Sequence, residues 1–281
     1  MPDGSNGSDN YVLGQSSSML RGLRWRTVEN STPYLIPYLK PGLAILDVGC
    51  GPGTITVDLA SRFPKGTVIG LDVVSLPLQD ARTYAEERGV TNVEFKEGDV
   101  LSLPFADATF DIVHAHQCIQ HSGDPVQALR EMRRVTRSGG LIAVREMDFG
   151  SAIWFPDIPA LREYHVMCPK VAITKGSDMH AGRKLLTWAL AAGFKREDVT
   201  TTAGTWCYST PEERSYWSSV LSEVTLVSGL GKAAVTQGVI SQEELERMAH
   251  AWEEWGATED GWYAVVHGQI SGSINARRPG Y

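Results

Sequence analysis

The stretch ILDVGCGPGTITVDLA, Ile45 to Ala60, runs apolar up to Asp47, turns through Gly49, Gly51 and Gly53, and resumes with helical spacing. Glycines at such a turn let backbone approach a ligand or adopt positive φ. A second acid, Asp72, closes the apolar run VIGLD about 25 positions after Asp47. A carboxylate at the end of the next strand is placed to accept hydrogen bonds from both hydroxyls of a ribose. The dinucleotide pattern G-x-G-x-x-G needs glycine at position 54, where Thr54 stands, so the fit to a nicotinamide dinucleotide is imperfect. Histidines supply the other candidates. Within HAHQCIQHSGD, His114 and His116 alternate and point to one side of a strand. Each is a base candidate, His116 foremost, or a residue that merely lines the strand edge. His121, ahead of a turn, reads more simply as a local hydrogen-bond anchor. His180 reads equally as a pocket residue or a solvated helix terminus.

These groups need elements to position them, and the text from Leu43 to Asp148 supplies an alternation: LAILDVG, TITVDLASRF, GTVIGLDVV, LPLQDARTYAEERG, NVEFKEGDV, FDIVHAHQ, DPVQALREMRRVTRS and GLIAVREMD. Strands alternating with helices of this length predict an α/β fold, a Rossmann-like doubly wound, mostly parallel seven-stranded sheet with helices on both faces. Residues 1–18 are polar and rich in Gly and Ser, and are expected to be flexible. The rest, 19–281, reads as one domain: amphipathic lid helices over 19–40, a core over 41–150, and cap elements over 151–281 that complete the sheet. In the cap, AGRKLLTWALAAG, PEERSYWSSVLSEVTLV and SQEELERMAHAWEEWG predict helices, VTTTAGTWCYS and GWYAVVHGQISG predict strands, and a helix is expected near Ile158 to Pro169. Thr210 and Ser241, each followed by Glu three positions on, predict N-caps.

Composition narrows the classes. The 281 residues are 42% hydrophobic and 21% charged with a net charge of −7, and no basic stripe suits a phosphate backbone, so nucleic acid is not an expected partner. No apolar run reaches the roughly 18 residues of a membrane span, and the first residues lack the pattern of a signal peptide. A cytoplasmic protein is expected, with no membrane partner and no prediction of oligomeric state. Cys50, Cys118, Cys168 and Cys207 form no ligand pattern and read as free thiols.

LDVGCGPG matches the pattern D/E-x-G-x-G-x-G, and EGDVLSLPFADATFDIVHAHQCIQHSGDPVQALREMRRVTRSGGLIAVRE carries further motifs. On these residues the chain resembles class I S-adenosylmethionine-dependent methyltransferases of the quinone-biosynthesis type, over roughly residues 40 to 150. RWRTVENSTPYLIPYLKPG and AGTWCYSTPEERSYW are similar to fungal secondary-metabolism members, among them thiol methyltransferases acting on the dithiol form of gliotoxin. Gln120 replaces the first histidine of the usual His-His pair, and Arg137-Ser138 replaces Lys-Pro.

The resemblance implies S-adenosylmethionine as cofactor and no metal. Asp47 and the backbone of Gly49, Gly51 and Gly53 would hold the methionine portion, Asp72 the ribose, and Asp99 and Val100 the adenine. His116 and Gln117 would face the sulfonium, and Arg26, Thr27 and Asn30 would reach the cofactor from the lid. Trp25, Trp154, Phe155, His180 and Trp206 are the candidates for acceptor binding. Together with Tyr164, Tyr208 and Trp217 the aromatics suggest a large, partly apolar acceptor pocket, against the plainer reading of core packing. The expected activity is S-methylation of both thiols of a dithiol metabolite such as reduced gliotoxin, a detoxification. O- or C-methylation of a quinone, polyketide or sterol-like compound is the rival, and a cofactor-binding regulator without activity is the reading from another class.

Overall fold

The structure is a computed structural model and describes residues 17–274. The expected flexible segment 1–18 lies outside them except for its last two residues. In chain order the elements are α1 (Ser17–Arg24), α2 (Val28–Ser31), β1 (Ala44–Val48), α3 (Thr54–Arg62), β2 (Thr67–Asp72), α4 (Ser75–Glu87), β3 (Val93–Glu97), β4 (Phe110–His116), α5 (Pro125–Val135) and β5 (Thr136–Met147). They continue as β6 (Ile153–Phe155), α6 (Pro159–Thr174), α7 (Leu185–Ala191), β7 (Val199–Tyr208), α8 (Pro211–Val227), α9 (Gly229–Thr236), α10 (Gln242–Ala257) and β8 (Trp262–Ser273). The chain forms two compact units. One comprises Trp25–Glu146, Gly182–Ala203 and the chain from Gly268; the other comprises the chain to Arg24, Met147–Ala181 and Gly204–His267.

The first unit contains the predicted doubly wound sheet. Strands β3, β2, β1, β4 and β5 lie in that order and are parallel. β8 follows β5, and β7 pairs with β8. β1 is apolar and buried on both faces, as a central parallel strand must be. Ile55, Leu59 and Ala60 of α3 close one face against Ile45, Val68 and Ile112. On α5 the buried stripe is Ala128, Leu129, Met132 and Val135, the 3.6-residue spacing of an amphipathic helix. Asp124 caps that helix by accepting from Gln127 N, and Pro125 starts it. The chain leaves β3 at one side of β1 and re-enters at β4 on the other, so strand order reverses between β1 and β4. A crevice for ligand opens beyond the carboxyl ends of strands at such a point.

In the second unit, β6 pairs antiparallel with the start of β8, Ile153 opposite Ala264. α8 and α10 pack closely because Gly256 has no side chain: a Cβ there would meet Ser218 at 2.3 Å. Both carry the expected capping boxes, Thr210 with Glu213 and Ser241 with Glu244. An aromatic core joins Tyr164, His165, Trp252, Trp255 and Tyr263.

One boundary and two short elements differ from the sequence reading. The helix expected to run through Ser138 stops at Val135, because Thr136 enters the strand and Gly139 takes φ +78. α9 was not anticipated: its two glycines weaken the helical signal, yet a Cβ at Gly231 would lie 2.0 Å from Thr225 O. The short strand β6 was not anticipated, because three residues are too few to show alternation.

Candidate cofactor site

Asp47, one residue before the end of β1, is almost fully buried, and each of its oxygens meets a partner inside the first unit. Thr56 Oγ1 donates to Oδ2 at 2.6 Å, and the ring Nδ1 of His114 lies 2.8 Å from Oδ1. Asp47 and His114 are register partners across β1 and β4, which is why two residues far apart in sequence meet. The carboxylate implied for the methionine portion therefore ties β1 to β4 and α3. His114, read as lining the strand edge, is fully buried as its partner. Asp47→Ala leaves a buried imidazole and hydroxyl without their acceptor, and is expected to cost roughly 2–4 kcal/mol. A thermal melt of the purified variant checks this, with Asp47→Asn expected to lose less.

The glycine turn is sealed by its own hydrogen bonds. The N–H groups of Gly49 and Cys50 donate to Leu71 O, Gly53 N donates to Cys50 O, and Gly51 N donates to Asp72 Oδ2 at 2.9 Å. Gly49, Gly51 and Gly53 all have positive φ. A Cβ at Gly49 would lie 2.4 Å from Cys118 Sγ, and one at Gly53 would lie 2.7 Å from Ala81 Cβ. Glycine is thus required at these two positions by protein packing as well as by conformation. With those N–H groups already paired, the turn offers them to no pyrophosphate, which agrees with Thr54 against a dinucleotide.

Asp72 is the acid of the second strand end. Its Oδ2 accepts from Gly51 N and its Oδ1 from Val74 N, and a carboxylate has acceptor capacity beyond two such bonds for a hydroxyl donor. Burial raises its pKa, opposed by those backbone N–H groups. Asp99, after β3, is exposed, and its Oδ1 accepts from Leu101 N; Val100 beside it is buried. The donor set is carboxylates and small backbone, with no cluster of basic groups on the turn. It suits a nucleoside carrying positive charge.

The end of β4 carries the second half of the site. His116 is buried, and Gln117 follows with φ +50, a conformation unusual for a residue with a side chain. Gln117 N donates to Arg145 O, and Arg26 Nη2 donates to Gln117 Oε1 at 2.7 Å. Arg26 is thus brought to the site. Thr27 and Asn30 instead form a capping box around α2, and Asn30 Nδ2 donates to Trp25 O. His121 accepts from the Gln120 amide at 3.0 Å, and burial followed by the charge of Arg26 pushes its pKa down to about 4. It is the local anchor the sequence suggested.

Sequence reasoning missed Glu146. At the end of β5 it is fully buried, and its Oε1 accepts from Cys118 N at 3.0 Å and Ile119 N at 2.8 Å. Its only signal was its place as an acid at the carboxyl end of an apolar strand, which was read for Asp47 and Asp72 and not for β5. Burial also raises the thiols of Cys50 and Cys118, two half-buried free cysteines, which favours the neutral form of both.

Of the acceptor candidates, Trp25 belongs to this unit and is half-buried. Trp154, Phe155, His180 and Trp206 belong to the second unit. Trp154 stacks on His165 at 4.3 Å, and Trp206 packs on His267. Tyr208 stacks on Trp217, so these aromatics do pack as core. Phe155 is exposed, and His180 Nδ1 accepts from Gly150 N. No group of His, Cys, Asp and Glu suited to a metal occurs among the described residues, and no described helix is long and apolar enough to cross a membrane.

Fold and site together define a nucleoside-binding, doubly wound α/β enzyme of the Rossmann-like kind. A family model described as a methyltransferase domain matches residues 39–193, and the chain belongs to that family. It is 35% identical over 277 residues to an uncharacterised methyltransferase of Schizosaccharomyces pombe, covering 95% of this chain and 94% of the relative. It is 32% identical over 278 residues to a probable methyltransferase of Aspergillus luteorubrus, covering 92% and 95%. Its fold is similar to that of a putative methyltransferase of Bacillus halodurans, with a TM-score of 0.55 and 20% identity over 86% of this chain and 97% of that one. The protein is a class I methyltransferase that uses S-adenosylmethionine.

Proposed function

We propose that this methyltransferase transfers methyl groups to the thiols of a small dithiol metabolite, of which reduced gliotoxin is the model. The observation behind this reading is how the imidazoles around the strand ends are used. His114 is committed to Asp47, and His121 is held neutral with a pKa of about 4 while it accepts from Gln120. Such a site suits a nucleophile that ionises with little help, and a thiol with a solution pKa near roughly 8.5 is one. An oxygen or carbon acceptor more often needs a dedicated base. The resemblance of the flanking segments to fungal secondary-metabolism members supports the same class, and Trp25 is the acceptor candidate that belongs to the cofactor-binding unit.

The cofactor supplies a methyl group already activated on a sulfonium. Asp72 would hold its ribose, Asp99 and Val100 its adenine, and His116 and Gln117 would lie toward its sulfur. The residues then have three tasks: to align the acceptor, exclude water and preserve its lone pair. No step in this scheme needs a metal.

Incubation of the purified protein with S-adenosylmethionine and reduced gliotoxin, followed by mass spectrometry, tests the reading. Products heavier by one and then two methyl groups are expected. No mass gain, with cofactor binding confirmed by calorimetry, would move the acceptor to quinone-like or polyketide oxygen and carbon nucleophiles. Absence of turnover with every acceptor class would leave a cofactor-binding regulator.

A further inference from the structure

Glu146 lies one position beyond the His116–Arg145 pair that aligns β4 with β5. Its Oε1 clamps the backbone N–H groups of Cys118 and Ile119, and its Oε2 has no hydrogen-bond partner among the described residues. The clamped turn reaches the glycine turn directly, because the Cys118 side chain fills the space beside Gly49. One carboxyl group thus braces both halves of the cofactor site, and half of it is unspent. Arg26 and Cys118 face it, Tyr34 and Asp47 belong to the same buried group of charges, and His116 and Arg145 end the adjoining strands.

Burial outweighs the backbone N–H groups and Arg26, and raises the Glu146 carboxyl to about 8. At neutral pH it is therefore mostly protonated. A cation in the crevice beyond β1 and β4 favours the ionised carboxylate; a neutral ligand of the same shape does not. S-Adenosylmethionine and S-adenosylhomocysteine differ in just this way, since one carries a sulfonium and the other a thioether.

We propose that Glu146 is a proton-exchanging positioning residue: it holds the turn after β4, releases its proton as the sulfonium cofactor binds, and recovers one when the cofactor sulfur becomes neutral. The balance closes with the reaction. As the carbon–sulfur bond of the cofactor breaks, its electron pair stays on the cofactor sulfur, and the acceptor's lone pair forms the new bond. The acceptor's proton passes to solvent, and the Glu146 carboxylate takes up one proton as the cofactor sulfur loses its charge. Cation, carboxylate and neutral acceptor become neutral thioether, neutral carboxyl group and neutral product, so net charge in the buried site does not change. This inference rests on the cofactor and not on a thiol acceptor.

Calorimetry in two buffers of different ionisation enthalpy, near pH 7, measures protons released on binding. The intact protein is expected to release most of one proton more with S-adenosylmethionine than with S-adenosylhomocysteine. The sulfonium also lowers the pKa of the ligand's own ammonium, so the part of the difference that belongs to Glu146 is the part lost in Glu146→Gln. Glu146→Gln keeps an acceptor for the turn, should bind both ligands, and should lose that difference. Glu146→Ala frees the turn and should weaken both ligands about tenfold or more. The wild-type protein gives a check without variants: the affinity ratio of the two ligands should shift toward S-adenosylmethionine by several-fold between pH 6.5 and 8.5. Equal proton release for both ligands, an unchanged difference in Glu146→Gln, or a ratio flat with pH would overturn the proposal.

Discussion

Gly49→Ala should reduce S-adenosylmethionine binding below detection and lower the melting temperature by several degrees. Two causes act together. Gly49 has φ +70, where any side chain costs about 1–2 kcal/mol. The new Cβ would also lie 2.4 Å from Cys118 Sγ and 2.6 Å from Cys118 Cβ, well inside contact. Cys118 cannot retreat cheaply, because its N–H is bonded to Glu146 at the base of the turn. Either the glycine turn or the turn after β4 must move, and the cofactor site lies between them. Combining Gly49→Ala with Cys118→Gly removes the clash and leaves the conformational cost. The pair should recover part of both the melting temperature and the affinity, a coupling on the order of 1–2 kcal/mol in a double-mutant cycle. A double variant no better than Gly49→Ala would assign the whole loss to backbone conformation.

Asp72→Ala should weaken cofactor binding by about 100-fold, or about 2.7 kcal/mol, while the protein still melts cooperatively. The proposed loss has two parts. The hydroxyls of the ribose lose a charged acceptor, and a hydrogen bond to a charged group contributes about 1.5–3 kcal/mol. The turn also loses the acceptor of Gly51 N–H, which Asp72 Oδ2 supplies at 2.9 Å. Asp72→Asn separates them: its amide oxygen can keep the Gly51 bond while its NH₂ group cannot accept from a hydroxyl. An intermediate loss by calorimetry is the expected result. Unchanged affinity in Asp72→Ala would remove this residue from the ribose role.

How much of this was readable beforehand varied with the kind of interaction. The glycine turn, the acids at the ends of β1 and β2, and the Rossmann-like order of elements were legible because each is a local pattern. Apolar runs of strand length, helical spacing and turn glycines are written in consecutive residues. The caps Thr210 and Ser241 were legible for the same reason, since a capping box spans four residues. Thr27 and Asn30 were legible in a second way, because their three-residue spacing is a capping pattern and they cap α2.

The sequence by itself determined the class of fold, the family motifs and the nucleoside character of the site, with Thr54 already arguing against a dinucleotide. Tertiary structure alone decided which groups remain available for chemistry. Asp47 and His114 are 67 positions apart and meet through strand register, and Glu146 reaches the turn after β4 across 27 and 28 positions. Cys118 against Gly49 is a contact of the same kind. Hydrogen-bond partners across a parallel sheet follow from strand order and register, and burial then sets the proton affinity of whatever lies between the strands. Neither quantity is carried by spacing along the chain, so the pairing of His114 with Asp47 and the burial that raises the Glu146 carboxyl exist only in the folded protein.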